Sequence, residues 1–477
     1  MVSLSIRALA LAAGSAVFVS AFDVVAKDVV VIGGGASGAY AAFRLREDYG
    51  QDIALIEKEE ALGGHVDSWT DPETGRTYDT GVVTFIDAGN ATSFMARLGL
   101  DLGAMPRAAV TQEYFDFETG KAVAFKTQPF PSQLAVLDKF RIQAEKFEPL
   151  IQAPGYFNFP EPEDIPEELL MPFGEWISKY ELQDAMPFIY SSTGLGLGNM
   201  TNEITLFALQ AFGASMARST LGLQGSFVPA SLRNQDIYDA IADVLGDDVH
   251  YQSTVVDSWR TDYGVSVLVR NSATDKVTLI AAKRLLISIP PTEKNTAPFD
   301  LDKEETEVFS KIEYNNLYTG LIDNSNLAAN WSYFNMPVGA APSNYFVLPE
   351  APFTARIDAM GDGSHFRVTF IGDGHTNACD AKAVVQRDFD KLIESGAIAP
   401  AGDGGDSEIS WVDFSVHGPM HARVTVEEIK AGFFQRFNAL QGLRSTWWTG
   451  GAWAVNFQTH LWEYDDMIIP LMLEGLA

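Results

Sequence analysis

Along this chain the apolar positions fall into two periods, and the earliest clear element, Val29-Val30-Val31-Ile32, contains no polar position. A short unbroken run closed by glycine predicts a strand buried on both faces, as in a parallel sheet. The next stretch, Ala39-Tyr40-Ala41-Ala42-Phe43-Arg44-Leu45, is good helix sequence, and Ile53-Ala54-Leu55-Ile56 predicts a second buried strand. Further along, PSQLAVLDKFRIQAEKFEPLI and IPEELLMPFGEWISKYEL carry the helical period, whereas NYFVLPEAPFTARIDAM and HFRVTFIGDG read as strands within a strand-like region. The proline-bounded QAPGYFNFPEPEDIP predicts a loop too irregular for a core element, and PAGDGGDSE a surface turn or mobile loop. No internal repeat is present.

Between the first strand and its helix stand Gly33, Gly35 and Gly38, the spacing G-x-G-x-x-G. The three glycines serve different ends. Gly33 makes the tight turn, Gly35 admits a pyrophosphate to the backbone, and Gly38 lets helix pack on strand. The helix amino end at Ala36 and Ser37 offers unpaired N–H groups and a positive dipole, with the Ser37 hydroxyl as a further donor. Glu57 closes the second strand nineteen residues after Gly38, where an acid meets a ribose hydroxyl and repels a 2′-phosphate. A glycine-rich turn holding nothing is the alternative, and the combination of strand, helix and acid favours a dinucleotide site over it.

Gly63-Gly64 follow Glu57-Lys58 after a short spacer, and a nicotinamide fold does not call for them. Here the sequence resembles the flavin-containing amine oxidase superfamily, in which an acid, a spacer and Gly-Gly-Arg lie close to the phosphates of FAD. His65 stands where arginine is usual, and near pH 7 a histidine is only partly charged. The resemblance extends to Gly81 and Val82 in YDTGVV, implied to lie by the isoalloxazine ring. It includes Val255 or Val256, whose main chain would hold the adenine, and the strand ending at Pro290-Pro291. Near the C-terminus, Gly450 and Gly451 are implied at the ribityl phosphate, with a helix starting at Thr459-His460-Leu461. GGHVDSW, YDTGVV and WWTGGAW are most similar to the branch containing fungal β-cyclopiazonate dehydrogenase and bacterial polyunsaturated fatty acid isomerase. That branch implies tightly bound FAD without a nicotinamide substrate.

Three separated cofactor stretches predict a discontinuous domain. The expected fold is α/β, with a Rossmann-like FAD-binding domain from residues 22–110, 205–295 and 430–477 and an α+β substrate-binding domain from 111–204 and 296–429. The first 21 residues, with Arg7 before an apolar run and small residues at Val19 and Ala21, predict a cleaved signal peptide and a secreted or secretory-pathway protein. The run is too short for a stable membrane span. Sequons at Asn90, Asn199 and Asn330 fit a glycoprotein, and the single cysteine, Cys379, excludes an intramolecular disulfide. A formal charge of −30 on 477 residues excludes nucleic acid as a partner, because a polyanion would be repelled.

Flavin performs the redox step itself, so the protein has only to bind, orient and tune it. The resemblance calls for a lysine near flavin N5 on the strand IEYNNLYTGLI, which has none; Tyr318 is the nearest counterpart, as a catalytic group or as a core aromatic. His460 is a second catalytic candidate, as flavin partner or proton shuttle, against a plain helix-cap role. Trp448 and Trp453 are expected to wall the substrate pocket, with Trp447 in the core. His417 and His421 have the spacing of two metal ligands on a helix, but Gly418-Pro419 interrupts it and nothing completes the set, so no metal is expected. Cys379 lies outside every cofactor segment and is read as an inert thiol. The expected activity is removal of a hydride from an apolar small metabolite, with or without nitrogen, and molecular oxygen as acceptor. One alternative is an isomerase moving a fatty-acid double bond, with Arg107 or Arg218 holding the carboxylate. The other is a secreted protein that binds a ligand without catalysis.

Overall fold

The computed structural model describes residues 23–476 except 107, 108, 153, 362, 364 and 401–406. The predicted leader, Arg107 and most of the loop after Pro400 therefore lie outside the described residues. In chain order the strands that build the two main sheets are β1 (Asp23–Ile32), β2 (Ile53–Ile56), β3 (Thr111–Asp116), β4 (Lys121–Ala122), β5 (Val249–His250), β6 (Ser253–Thr261) and β7 (Gly264–Asn271). They continue with β8 (Val277–Ile287), β9 (Glu313–Asp323), β10 (Trp331–Asn335), β11 (Phe353–Ala359), β12 (Phe366–Gly372), β13 (Ser410–Arg423) and β14 (Thr446–Trp448). The helices that position them are α1 (Ala36–Glu47), α2 (Phe130–Ala144), α3 (Thr205–Ala211), α4 (Ala214–Thr220), α5 (Lys303–Phe309), α6 (Ala378–Glu394) and α7 (Gln458–Leu473).

The first sheet runs β5-β2-β1-β8-β7-β6, with β14 beside the end of β8. Its parallel members pair Ile56 with Ile32, Ile32 with Ile287 and Ile287 with Trp448, so four strands end at one level. The unbroken apolar runs are explained by burial on both faces. Val29, Val31, Ile53 and Leu55 pack with α1 and with Trp462 and Ile469 of α7, while Val30, Ile32, Ala54 and Ile56 join the main core on the other side.

The second sheet runs β13-β9-β12-β11-β10-β3-β4 and draws on residues 111–122 and 313–423. Helix α6 covers one face with Ala381, Val385, Phe389 and Leu392, against Tyr318, Tyr333 and Phe370. The region was expected to be strand-like, and this helix corrects that. Asn377 caps it by accepting from the Cys379 and Asp380 N–H groups, and Cys379 is exposed on its first turn.

A helical layer closes the molecule. IPEELLMPFGEWISKYEL is divided by Pro172 into Glu167–Leu170 and Phe173–Lys179, because Met171 before the proline is extended. Helix α4 packs on α2, so the helical layer continues past residue 204. QAPGYFNFPEPEDIP is irregular as expected, yet it reaches the core. The Tyr156 ring is 2% exposed and stacks on Phe434, and its backbone N–H donates to the Trp453 carbonyl.

Candidate functional site: a dinucleotide cleft between two sheets

The carboxyl ends of β1, β2, β8 and β14 open at one edge, where open α/β sheets bind ligands. Gly33 turns the chain there with φ +94°, and Gly35 precedes α1 as its N-cap without a side-chain bond. A β-carbon at Gly38 would lie 1.8 Å from the Gly33 carbonyl oxygen. The second glycine pair is folded onto the first: Gly63 N–H donates to the Gly34 carbonyl at 2.9 Å, and a β-carbon at Gly64 would lie 2.8 Å from Gly35 Cα. Ser288, at the end of β8, donates its hydroxyl to the Ile32 and Gly33 carbonyls and packs under Gly450, which has φ +103°. Two glycine motifs far apart in sequence thus form one side-chain-free cradle.

Glu57 is buried at the end of β2, with Oε2 accepting from Gly34 N–H at 2.6 Å and Oε1 from Glu59 N–H at 2.8 Å. Each oxygen keeps a lone pair for a ribose hydroxyl. Lys58 beside it is exposed and paired with Glu59. Val255 is buried on β6, an edge strand whose outer main-chain edge has no strand partner within this sheet.

At the other end of the cleft, Val82 N–H donates to the His65 carbonyl at 3.1 Å, which fixes Gly81 beside it. Helix α7 points its amino end here. Gln458 Oε1 and Thr459 Oγ1 are buried without a protein partner among the described residues, and Leu461 is buried behind them. Gly451 lies close against Asn456 Oδ1. Unpartnered buried oxygens at a helix amino end call for a ligand with hydrogen-bonding edges. The cradle, the ribose acid and these oxygens together fit FAD.

Four site expectations change. Tyr318 faces α6, packs on Phe370 and Phe414, and donates its hydroxyl to the Thr376 carbonyl at 2.6 Å, so it is a core aromatic. His460 has both ring nitrogens engaged, Nδ1 with Glu463 at 2.6 Å and Nε2 with Ser215 at 3.0 Å and Gln152 at 3.2 Å; it ties α7 to α4. Trp448 and Trp453 are fully buried and stack on each other, with Trp453 also on Phe437 at 4.2 Å, so they fill the core under the cleft rather than wall a pocket. Trp447, expected in the core, is the half-buried one.

What the sequence did not assign is the contribution of β13. His417 and His421 are on this strand, a partner of β9; His417 meets the cofactor domain at His65, the two rings 5.2 Å apart, while His421 lies between Gly196 and Asn456. Burial pushes His417 and His421 down to about 3, and burial also lowers His65, so all three imidazoles are neutral at pH 7. The signal in the sequence was the pair itself, HGPMH, set aside with the metal reading. Beyond His421, Asn315 and Arg423 border a polar cavity of about 250 Å³ with Asn199, Asn202, Glu203 and Glu350. Arg423 bonds Asn315 Oδ1 at 2.9 Å and pairs with Glu203 at 3.3 Å.

Fold and cradle define an FAD-binding protein with a fold of the amine-oxidase type, a discontinuous Rossmann-like domain and a second sheet across its cleft. Residues 31–98 match the NAD(P)-binding Rossmann-like domain family. Over 470 residues, 97% of this chain and 96% of the relative, the sequence is 31% identical to β-cyclopiazonate dehydrogenase of Aspergillus oryzae. It is also 31% identical to the FAD-dependent oxidoreductase oblC of Cochliobolus heterostrophus, across 95% of this chain and 92% of that one. The chain belongs to this family of FAD-dependent oxidoreductases. Among solved structures, the CLA-producing fatty acid isomerase from P. acnes has the same fold, with a TM-score of 0.69 at 17% identity over 94% of this chain and 99% of the other. Putrescine oxidase has a TM-score of 0.59 at 15% identity, covering 95% and 100%.

Proposed function

We propose that this enzyme removes a hydride from an apolar small metabolite carrying a polar or nitrogen-containing end, and that molecular oxygen takes the electrons. The observation that carries the reading is the meeting of Gly81 with β13, which sets the second sheet over the flavin end of the cleft. Bound FAD supplies the hydride acceptor. The chain supplies the rest: Glu57 holds the ribose, the glycine cradle admits the pyrophosphate, and the amino end of α7 stabilises negative charge at the ring. The polar cavity that the Arg423–Glu203 ion pair borders receives the polar end of the substrate, and the neutral imidazoles of β13 leave the ring environment uncharged. The name of the β-cyclopiazonate dehydrogenase relatives supports a dehydrogenation of this kind.

Fatty-acid isomerisation is favoured only by the likeness of fold. Arg218, one of the two arginines proposed to anchor a carboxylate, is spent on Glu148 and Glu145. The test is anaerobic mixing of the purified, FAD-loaded protein with a metabolite panel, followed by admission of air. Bleaching of the flavin bands, then recovery with peroxide, is expected. Turnover only with another acceptor would overturn the oxygen assignment, and conjugated-diene absorbance without bleaching would establish the isomerase.

We also propose entry into the secretory pathway after cleavage at Ala21, to be checked by amino-terminal sequencing of exported protein. Among the sequons Asn330 is exposed, whereas the Asn90 amide donates to Tyr40 and Asp466, and the Asn199 amide to Glu350. No helix among the described residues is long and apolar enough to cross a membrane.

A further inference from the structure

We propose that His417 hydrogen-bonds the bound flavin ring through Nε2, and that His65 is the positioning residue that holds it there. The inference rests on FAD occupying the cleft.

His417 comes from the second sheet but touches the cofactor domain. Its side chain packs on the backbone of Gly81, where a β-carbon would lie 2.9 Å from Cε1 and 3.1 Å from Nε2. A β-carbon at Gly81 would meet the His65 carbonyl first, at 2.0 Å, and the imidazole next, so the missing side chain lets both approach. His417 is 5% exposed, and Nε2 has no partner among the described residues. A buried nitrogen left unpaired is costly, and a bound ring with polar edges beside Gly81 satisfies it. Being neutral, the imidazole can donate or accept there according to its tautomer.

His65 explains why the ring stays in place. Its ring packs against the His417 ring, with centroids 5.2 Å apart, and so fills the space into which His417 would otherwise turn. The His65 carbonyl in turn accepts from Val82 N–H, so one residue fixes both Gly81 and His417. His65 lies deep in the molecule and is still part-accessible, as a residue lining an internal cleft is. An arginine at this position would bring a fixed charge and a fork suited to phosphate. The histidine instead ties the second glycine motif to β13.

The test compares FAD-loaded wild type with His417→Ala, His417→Gln, His417→Asn and His65→Ala, reading the visible flavin spectrum and the two-electron midpoint potential against a reference dye. His417→Ala is expected to displace the flavin bands and change the ratio of affinities for reduced and oxidised FAD about tenfold, equal to about 30 mV for a two-electron couple. His417→Gln, which keeps a hydrogen-bonding end, restores most of the shift, and His65→Ala reproduces part of it. A purely structural role for His417 would not give spectral rescue by Gln. Unchanged bands and potential in His417→Ala, with one FAD per chain, would overturn the proposal. Should the alanine variant not fold, His417→Asn, too short to reach, is read by the same two measurements. Wild-type protein that takes up no FAD would instead sink the underlying assignment of the cleft.

Discussion

At Gly38 helix α1 crosses the turn after β1 with no room for a side chain: an added β-carbon would meet the Gly33 carbonyl at 1.8 Å and Ser288 Oγ at 2.5 Å. Backbone cannot give way as a flexible side chain can. Gly38→Ala is therefore expected to lift α1 off the turn, at a cost of about 1–3 kcal/mol for overpacking, and to lower FAD affinity at least tenfold by moving the N–H groups that face the phosphates. Titration of the apo-protein with FAD, beside a melting curve, checks both. This residue was legible because its role is local: a strand, a turn and a helix within twenty positions, Val29 to Asp48, define what it must do. Glu57 was legible for the same reason. His65 was not, since the ring it packs against, His417, lies far along the chain on β13, and the residue type alone says only that the charge usual at that position is missing.

Strand β6 is an edge of the first sheet, and a buried ion pair helps to fasten it to the segment that follows β8. Arg260 on β6 donates to both carboxylate oxygens of Glu305 on α5, at 2.8 and 2.6 Å, and both side chains are fully buried. Glu305 also accepts from the Asp302 N–H, closing the capping box of α5. Glu305→Ala removes one partner of a buried pair and leaves Arg260 uncompensated, so a loss of about 3–5 kcal/mol is expected in chemical denaturation. Glu305→Gln, which can still serve the cap, should lose less; a Gln variant as stable as wild type would mean that the pair contributes nothing beyond the cap. Elements of this kind divide cleanly in what the sequence showed. The strands and helix at the first glycine motif were readable because their apolar runs are buried on both faces. Helix α6 is hard to see in the sequence although Ala381, Val385, Phe389 and Leu392 keep its period, because seven charged residues dilute the pattern. The stretch around Tyr156 is deceptive because its prolines forbid regular structure without forbidding burial.

Across the whole molecule the two sheets are joined at the cleft by groups whose protonation matters. Asp67, after the second glycine pair, lies beside Asp413 on β13; burial first and the Asp413 charge second push Asp67 up to about 6. Asp79 is pushed up to about 6 by burial, against the hydrogen bond from Ser68 and the charges of Arg233 and Arg367, and Asp413 is raised by burial with Lys382 opposing. In the unfolded chain these carboxyls titrate at about 4. The folded state therefore binds more protons than the unfolded one between about pH 4 and 6, so this contribution to stability is complete below about 4 and is lost as pH rises through about 6. General self-repulsion in a chain of formal charge −30 acts in the same direction, so wild-type melting alone cannot assign the effect. The difference between wild type and Asp67→Asn can. The amide does not titrate, so the variant should melt with a shallower fall between about pH 4 and 6 and become the more stable protein above that range. Parallel curves for the two proteins would mean that the carboxyl pair is not formed in solution, and with it would go this account of how β13 is held against the cofactor domain.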